Sequence, residues 1–242
     1  MKLIKDIVIR ILLFIIFIVF LICTHILMAE HQEQKESIES VEELKEDTIK
    51  EKSNLGEKYI DWGKLKNTNK DIIGWIEIPD TNINYPILKD NNSLFYLNHC
   101  YNKKYNANGS IFVLNNRPFI EKETIIHGHN RLNGIMFSEL SKYLQKDFFD
   151  KHFEFNIFTP EKNYKAKVFS VYSINIFNEK ENLKMLNFKE QIEYYKSKSK
   201  YKSEIEKINK IVKLSTCSYL NNKKAITEQR YYIIASLEEL KN

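Results

Sequence analysis

A cysteine, two histidines and an arginine stand at segment ends in this chain, where they can act together. Cys217 closes the run Leu214-Ser215-Thr216-Cys217, behind apolar residues that begin at Ile211 and ahead of the polar stretch Asn221-Asn222-Lys223-Lys224. That places it at the end of a strand, where scaffolds commonly display reactive groups. The thiolate is the nucleophile, so a working cysteine needs a cation or an imidazolium close by. His127 and His129 flank Gly128 in Ile125-Ile126-His127-Gly128-His129-Asn130. An imidazole titrates near neutral pH; it can hold a thiolate as an ion pair and then protonate a leaving amine. Arg230 opens the run Arg230-Tyr231-Tyr232-Ile233-Ile234. Its planar guanidinium stays charged and can hold a developing oxyanion or a substrate carbonyl.

Each residue also has a bland reading. A cysteine after a strand can be structural, and an arginine at a strand end can be a solvated charge. The His-x-His pair could bind a metal on one strand face, for which His99 is the nearest further histidine. Of the three cysteines, Cys23 lies in an apolar N-terminal run, which leaves Cys100 and Cys217 for the folded part. Two exported cysteines can pair as a disulfide.

The elements that must position these residues read as mostly β. Gly74–Ile78 and Tyr85–Leu88 are short apolar segments, and Pro79-Asp80-Thr81-Asn82 between them carries turn chemistry. Gly109–Leu114, Thr124–His127, Phe153–Ile157, Tyr164–Tyr172, Ile211–Thr216 and Arg230–Leu237 read as further strands. Phe137, Leu140 and Leu144 form a helical stripe; Phe188, Ile192 and Tyr195 form another, and Ile205 with Ile208 suggests a further helical turn. Many short strands with few helices point to a closed barrel or a sandwich. The 14 Tyr and 15 Phe suit a β-rich core.

Ahead of this domain the pattern differs. Residues 11–23 are apolar and uncharged, and extension to Ala29 gives about 19 residues, close to the ~20 that cross a bilayer as a helix. Lys2, Lys5 and Arg10 precede the run and acidic residues follow from Glu30, which predicts a cytoplasmic N-terminus and an exported remainder. A cleaved signal peptide is the alternative, but His25-Ile26-Leu27-Met28-Ala29 offers no convincing cleavage site. Residues 30–58 are charged, with Ile38, Val41, Leu44 and Ile49 near helical spacing, and predict an amphipathic helix. The expected organisation is therefore 1–29 stub and anchor, 30–60 helical stalk, and 61–242 catalytic domain. The net charge of +5 is spread over interspersed Lys, Glu and Asp, which argues against nucleic acid as a partner.

Taken together and in this order, the motifs resemble those of the sortase family. Leu214-Ser215-Thr216-Cys217, with Arg230 thirteen residues later at the start of the last strand, is similar to the family signature Thr-Leu-x-Thr-Cys followed by Arg. Gly128-His129-Asn130 resembles the family histidine motif. Asp71–Pro79 followed by Ile83–Ile87, and Tyr96-Leu97-Asn98-His99 followed by Gly109–Phe112, resemble the opening of class B members. The resemblance runs from about Trp62 to Leu237, and the helical insert near Phe188–Asn209 also favours class B. Three positions depart from the pattern: Lys213 stands where the signature begins with Thr, Ser218 follows the cysteine where some relatives carry an acid, and Cys100 is an unexpected second thiol.

The resemblance implies an eight-stranded sortase-type β-barrel with N-terminal helices and a helical insert before the Cys-bearing strand. It implies catalytic roles for Cys217, His129 and Arg230, and selects His129 over His127 because the family histidine follows the glycine. Asn98, His127, Ser215 and Thr216 then fall near the bound peptide. The implied reaction is transpeptidation: cleavage of a C-terminal sorting motif of a secreted protein after Thr, and transfer to an amine of peptidoglycan or of its lipid-linked precursor. No metal or other cofactor is required. Two rivals remain: a papain-like cysteine protease, which would place Cys before His and at a helix start, and a non-catalytic membrane-tethered domain with a Cys100–Cys217 disulfide.

Overall fold

A computed structural model describes residues 2–51, 58–91, 94–131, 134–205, 207–218 and 227–240. The chain divides into two compact units, Met1–Lys45 and Glu46–Asn242. Helix α1 (Lys2–Thr48) accounts for the first. Its apolar stretch, with a mean hydropathy of 3.2 over 18 residues, is long and apolar enough to cross a membrane. The helix ends earlier than the expected 58: Ile49 opens a strand instead, β1 (Ile49–Glu51), which pairs antiparallel with β2 (Lys58–Ile60). Ile49 is β-branched and faces Ile60 across that pair, a setting in which such side chains pack well.

In the second unit, α2 (Trp62–Thr68) is started by Asp61, whose carboxylate accepts from the Lys64 amide at 3.0 Å. That contact satisfies an amide left without a partner in the first turn. The barrel begins with β3 (Ile72–Glu77) and β4 (Asn84–Lys89), joined by the turn foreseen at Pro79–Asn82. It continues with β5 (Ile111–Val113) and β6 (Glu123–His127). A 3-10 segment, Ser138–Leu144, and α3 (Lys146–Lys151) follow, so the Phe137–Leu144 stripe is wound more tightly than an α-helix. Next come β7 (Glu154–Phe158), β8 (Asn163–Asn175), α4 (Ile176–Leu183), α5 (Phe188–Lys198), β9 (Ile211–Cys217) and β10 (Gln229–Glu239).

Eight strands close in the order β10-β8-β7-β3-β4-β5-β6-β9. Closure removes the unpaired edges that an open sheet would present. Two of the pairings, β4 with β5 and β6 with β9, are parallel. The core includes the fully buried Trp75, Ile76, Phe155, Ile157, Leu214 and Ile233. Trp75 keeps its indole N–H satisfied by donating to Asn84 Oδ1 at 2.6 Å.

Helices α4 and α5 form the insert between β8 and β9. Helix α5 carries a capping box, with Asn187 accepting from Lys189 and Glu190 amides and Glu190 reaching back to the Asn187 amide. Its Ile192 and Tyr195 pack with Phe169, Tyr172, Ile211, Tyr232 and Ile234 in one cluster. Ile205 and Ile208 join that cluster, but not from a helix: the described chain around them is irregular. One pair three residues apart can be met by any chain lying along a sheet, and does not specify a helix.

Candidate active site

The parallel pairing of β6 with β9 and the antiparallel pairing of β9 with β10 gather the chemistry-bearing residues at one end of the barrel. Cys217, the last residue of β9, is the cross-strand partner of Arg230 on β10. Ser215, two residues back and on the same face, pairs with Tyr232 on one side and His127 on the other. Residues directly opposite across a ladder lie within about 5.5 Å at their Cα atoms. Cys217 and Arg230 thus meet although thirteen residues separate them in sequence. The polar loop expected at Asn221–Lys224 lies outside the described residues.

His129 reaches the same end because the chain leaving β6 is tied to β9 at three points. The Gly128 amide donates to the Ser215 carbonyl at 3.2 Å. The Thr216 hydroxyl donates to the Gly128 carbonyl at 2.8 Å. The Asn130 side-chain amide donates to the Cys217 carbonyl at 2.8 Å. The residues on either side of His129 are therefore fastened to the cysteine strand. A side chain at Gly128 would meet Ile111 Cδ1 at 2.5 Å and the Phe137 ring at 2.7 Å, so the close passage requires glycine.

The imidazole of His129 is held from a third direction. Its Nε2 lies 2.7 Å from the Leu97 carbonyl, on the segment that precedes β5. That carbonyl is packed against Gly109, which has φ +63°, and a Cβ there would stand 2.4 Å from the Leu97 oxygen. Asn98, exposed, follows Leu97 directly. The Tyr96-Leu97-Asn98 segment is itself fixed from below, where Tyr96 Oη donates to Asp71 at 2.6 Å.

The two histidines differ electrostatically. Burial lowers the pKa of His127 to about 4, and the positive charges of Arg230 and Lys213 add to the effect. His127 is therefore a neutral ring near pH 7, lying 5.5 Å from the Phe112 ring. His129 is also lowered by burial, with a smaller contribution from Arg131; the hydrogen bond to the Leu97 carbonyl opposes this by favouring the protonated ring. Only His129 has a partner that stabilises its charged form.

Arg230 donates from Nη1 to the carbonyls of Thr227 at 2.6 Å and Gln229 at 3.1 Å. These contacts hold the guanidinium at the strand entrance, on the residue that pairs with Cys217. Ser215 and Thr216 are buried, and the Thr216 hydroxyl is committed to Gly128. None of Cys23, Cys100 and Cys217 is joined in a disulfide, which corrects the disulfide alternative. Cys217 ends a barrel strand while Cys100 is buried in the loop that precedes β5. Among the described residues, no group of three or more His, Cys, Asp or Glu side chains could hold a metal ion.

The sequence motifs thus pointed to residues that share one end of the barrel. The residues that sequence reasoning missed are supports: Asn130, whose amide binds the Cys217 carbonyl, and the Leu97 carbonyl against His129. Asn130 sits in the quoted His motif, so a signal was present; a backbone carbonyl leaves none.

Comparison with known proteins identifies the family and the fold. A family model described as "Sortase domain" matches residues 76–238. The chain is 38% identical over 160 residues to Sortase B of Listeria monocytogenes, covering 63% of this chain and 65% of that protein, so it spans just under two thirds of that relative's length. It is 30% identical over 183 residues to Sortase B of Staphylococcus aureus, covering 72% of each. The X-ray structure of Clostridium perfringens sortase B superposes with a TM-score of 0.65 at 27% identity, covering 74% of this chain and 100% of that one.

Proposed function

The chain belongs to the sortase family, and from that premise we propose that it is a class B-like cysteine transpeptidase with Cys217 as nucleophile, His129 as acid and base, and Arg230 as oxyanion partner. The observation that carries this reading is the pairing of Cys217 with Arg230 across β9 and β10, with the His129 loop hydrogen-bonded to the same strand on both sides of the imidazole.

The chemistry runs in two halves. The Cys217 thiolate attacks the Thr carbonyl carbon of a sorting motif, and the carbonyl electrons move onto oxygen. Arg230 stabilises that oxyanion, which bears more charge than the ground-state carbonyl and so gains more from a fixed cation. The C–N bond then breaks, the His129 imidazolium gives its proton to the departing amine, and a thioester remains on Cys217. In the second half an acceptor amine attacks the thioester, neutral His129 takes its proton, and the C–S bond breaks to restore the thiolate. Burial lowers the pKa of His129 and so disfavours the imidazolium needed for the first half; the hydrogen bond to the Leu97 carbonyl opposes that.

The acceptor in this reading is an amine of peptidoglycan or of its lipid-linked precursor, and the donor is a secreted protein. The apolar stretch of α1 anchors the chain in the cell membrane, with the Lys2–Arg10 end cytoplasmic and the barrel outside. Asn98, His127 and Ser215 contact the peptide, while Thr216 supports it indirectly through Gly128.

The test uses a panel of sorting peptides with and without a supplied amine. The chain should cleave at least one peptide after Thr and form the amine adduct in preference to the free acid. Cys217→Ala should abolish both products, and His127→Ala should retain substantial turnover. Release of free acid alone, whatever amine is supplied, would identify a protease instead.

A further inference from the structure

The position at which this chain departs from the family signature, Lys213, is also where its only described ion pair with both side chains at 3% exposure is found. Lys213 Nζ lies 2.5 Å from Glu179 Oε1. It also sits 3.9 Å from the centroid of the Tyr232 ring and 4.9 Å from that of Tyr195. Glu179 accepts further hydrogen bonds from Tyr172 Oη at 2.6 Å and from Tyr194 Oη at 3.1 Å. One carboxylate therefore joins β9, β8 and α5.

Glu179 belongs to α4, and it is that helix's one buried residue. Phe177 on the first turn is 61% exposed, and Leu183 at the far end is only partly buried. An eight-residue helix does not hold together in water unaided, and this one has almost no apolar face to bury. Leu183 packs on the edge of the core cluster and Asn182 donates to Tyr194 Oη at 3.1 Å, but the helix's one buried side chain is a charged one. A buried carboxylate and a buried ammonium each become costly when the partner leaves, so the contact resists partial opening.

The start of α4 adjoins the candidate active site. Ile174 on β8 is the cross-strand partner of Arg230, and the Ile176 amide donates to the Glu228 carbonyl at 3.0 Å. Along β9, Lys213 is on the same face as Ser215 and Cys217. The ion pair thus connects the strand that bears the cysteine to the helix that rises beside the arginine.

We propose that Lys213 is a positioning residue which, through Glu179, pins α4 beside Arg230 and so sets one wall of the peptide groove. The mechanical half of this inference stands on the contacts alone; its effect on substrate rests on the transpeptidase reading. With the pin in place, Phe177 and its neighbours present a fixed surface to the peptide flanking the scissile bond. Without it, α4 detaches while the barrel stays closed, and peptide binding weakens more than the chemical step.

The experiment compares the 242-residue chain in detergent with Lys213→Met, Glu179→Gln and the double variant Lys213→Met/Glu179→Leu. Hydrogen exchange is followed over residues 176–183 and over β3, β4 and β7. The single variants should accelerate exchange in 176–183 at least about tenfold and leave those strands unchanged. With a peptide that the parent cleaves, KM should rise about tenfold and kcat should stay within about threefold. The double variant leaves no orphaned charge, so it keeps the fold if a single variant does not, and it should retain the raised KM. Unchanged exchange in α4, acceleration shared by the whole barrel, or a return of KM to the parental value in the double variant would each overturn the proposal. Should the parent cleave no sorting peptide, the transpeptidase reading fails, and exchange over 176–183 alone decides whether the pin exists.

Discussion

The two faces of β9 make different demands on their side chains. Val212 and Leu214 point into the barrel and are fully buried among apolar neighbours. On the other face, Lys213 meets Glu179, Ser215 stands between His127 and Tyr232, and Cys217 stands opposite Arg230. The inner face is held by shape, where apolar volume is what matters. Ile211 opens the outer face in the apolar cluster under α5, but from Lys213 to Cys217 that face is held by specific polar partners, and a polar group that loses its partner costs more than the pair contributed. Damage to the inner face should therefore appear as lost stability, and damage to the outer face as lost function. The strand can bear chemistry because the closed barrel behind it does not depend on that chemistry to stay folded.

The sharpest way to break this comparison is Arg230→Ala. On the proposed reading Arg230 stabilises the oxyanion; loss of one such group commonly lowers the rate by ~10²–10³, and a fall of that size in kcat/KM is expected here. The denaturation midpoint should hardly move, because among the described residues the guanidinium's hydrogen bonds go to the nearby Thr227 and Gln229 carbonyls at the strand entrance. Arg230→Lys should recover only part of the activity, since an ammonium lacks the planar fork. If Arg230→Ala unfolds the chain instead, the outer face carries stability after all.

Leu214→Ala probes the opposite face. Leu214 is fully buried two residues along from Thr216. Its truncation should cost about 2–5 kcal/mol, through lost transfer free energy and an unfilled cavity. The read-out is the denaturant midpoint. Turnover per folded molecule should remain near parental, because no polar contact of the site passes through this side chain. A variant of parental stability with poor turnover would reverse the assignment of the two faces.

The inner face was also the easier of the two to read from sequence. Short apolar segments bounded by turn chemistry, with alternation at Phe153–Ile157 and Tyr164–Tyr172, located all eight barrel strands, because burial in a sheet selects apolar residues along the strand itself. The meeting of Cys217, His129 and Arg230 was legible only through the family pattern, since the parallel β6–β9 pairing joins segments some ninety residues apart by contacts that leave no local periodicity. Helix α4 went unforeseen for a related reason: its buried residue is a glutamate, and apolar patterning does not register an anchor made of charge. Lys213 was visible as a departure from the signature, but its partner lies 34 residues away. The turn expected at Ile205–Ile208 shows the converse error, an apolar pair taken for a helix where the described residues are irregular and the same two side chains are partly buried.

The smallest of the expected effects concerns His127, the outer-face residue whose charge state is set most firmly. Burial, aided by Arg230 and Lys213, puts its folded-state pKa at about 4, below the ordinary value of 6.5. Below pH 6.5 the unfolded chain binds a proton that the folded chain refuses, so stability declines as pH falls from 6.5 towards 4 and this contribution levels off below that. The full shift sets an upper limit of about 3 kcal/mol; the ring is only partly covered, and about 1–2 kcal/mol is a fairer expectation after solvent screening. His127→Phe keeps an aromatic ring against Phe112 and removes the titration. Denaturant midpoints measured at intervals from pH 7 to pH 4 should fall less steeply in this variant than in the parent, by that amount over the interval. The carboxylates of the rest of the molecule titrate in both proteins and cancel in the difference. Parallel curves would mean that His127 reaches solvent freely enough to be protonated in the folded state, and the neutral character assigned to this face of β9 would then be wrong.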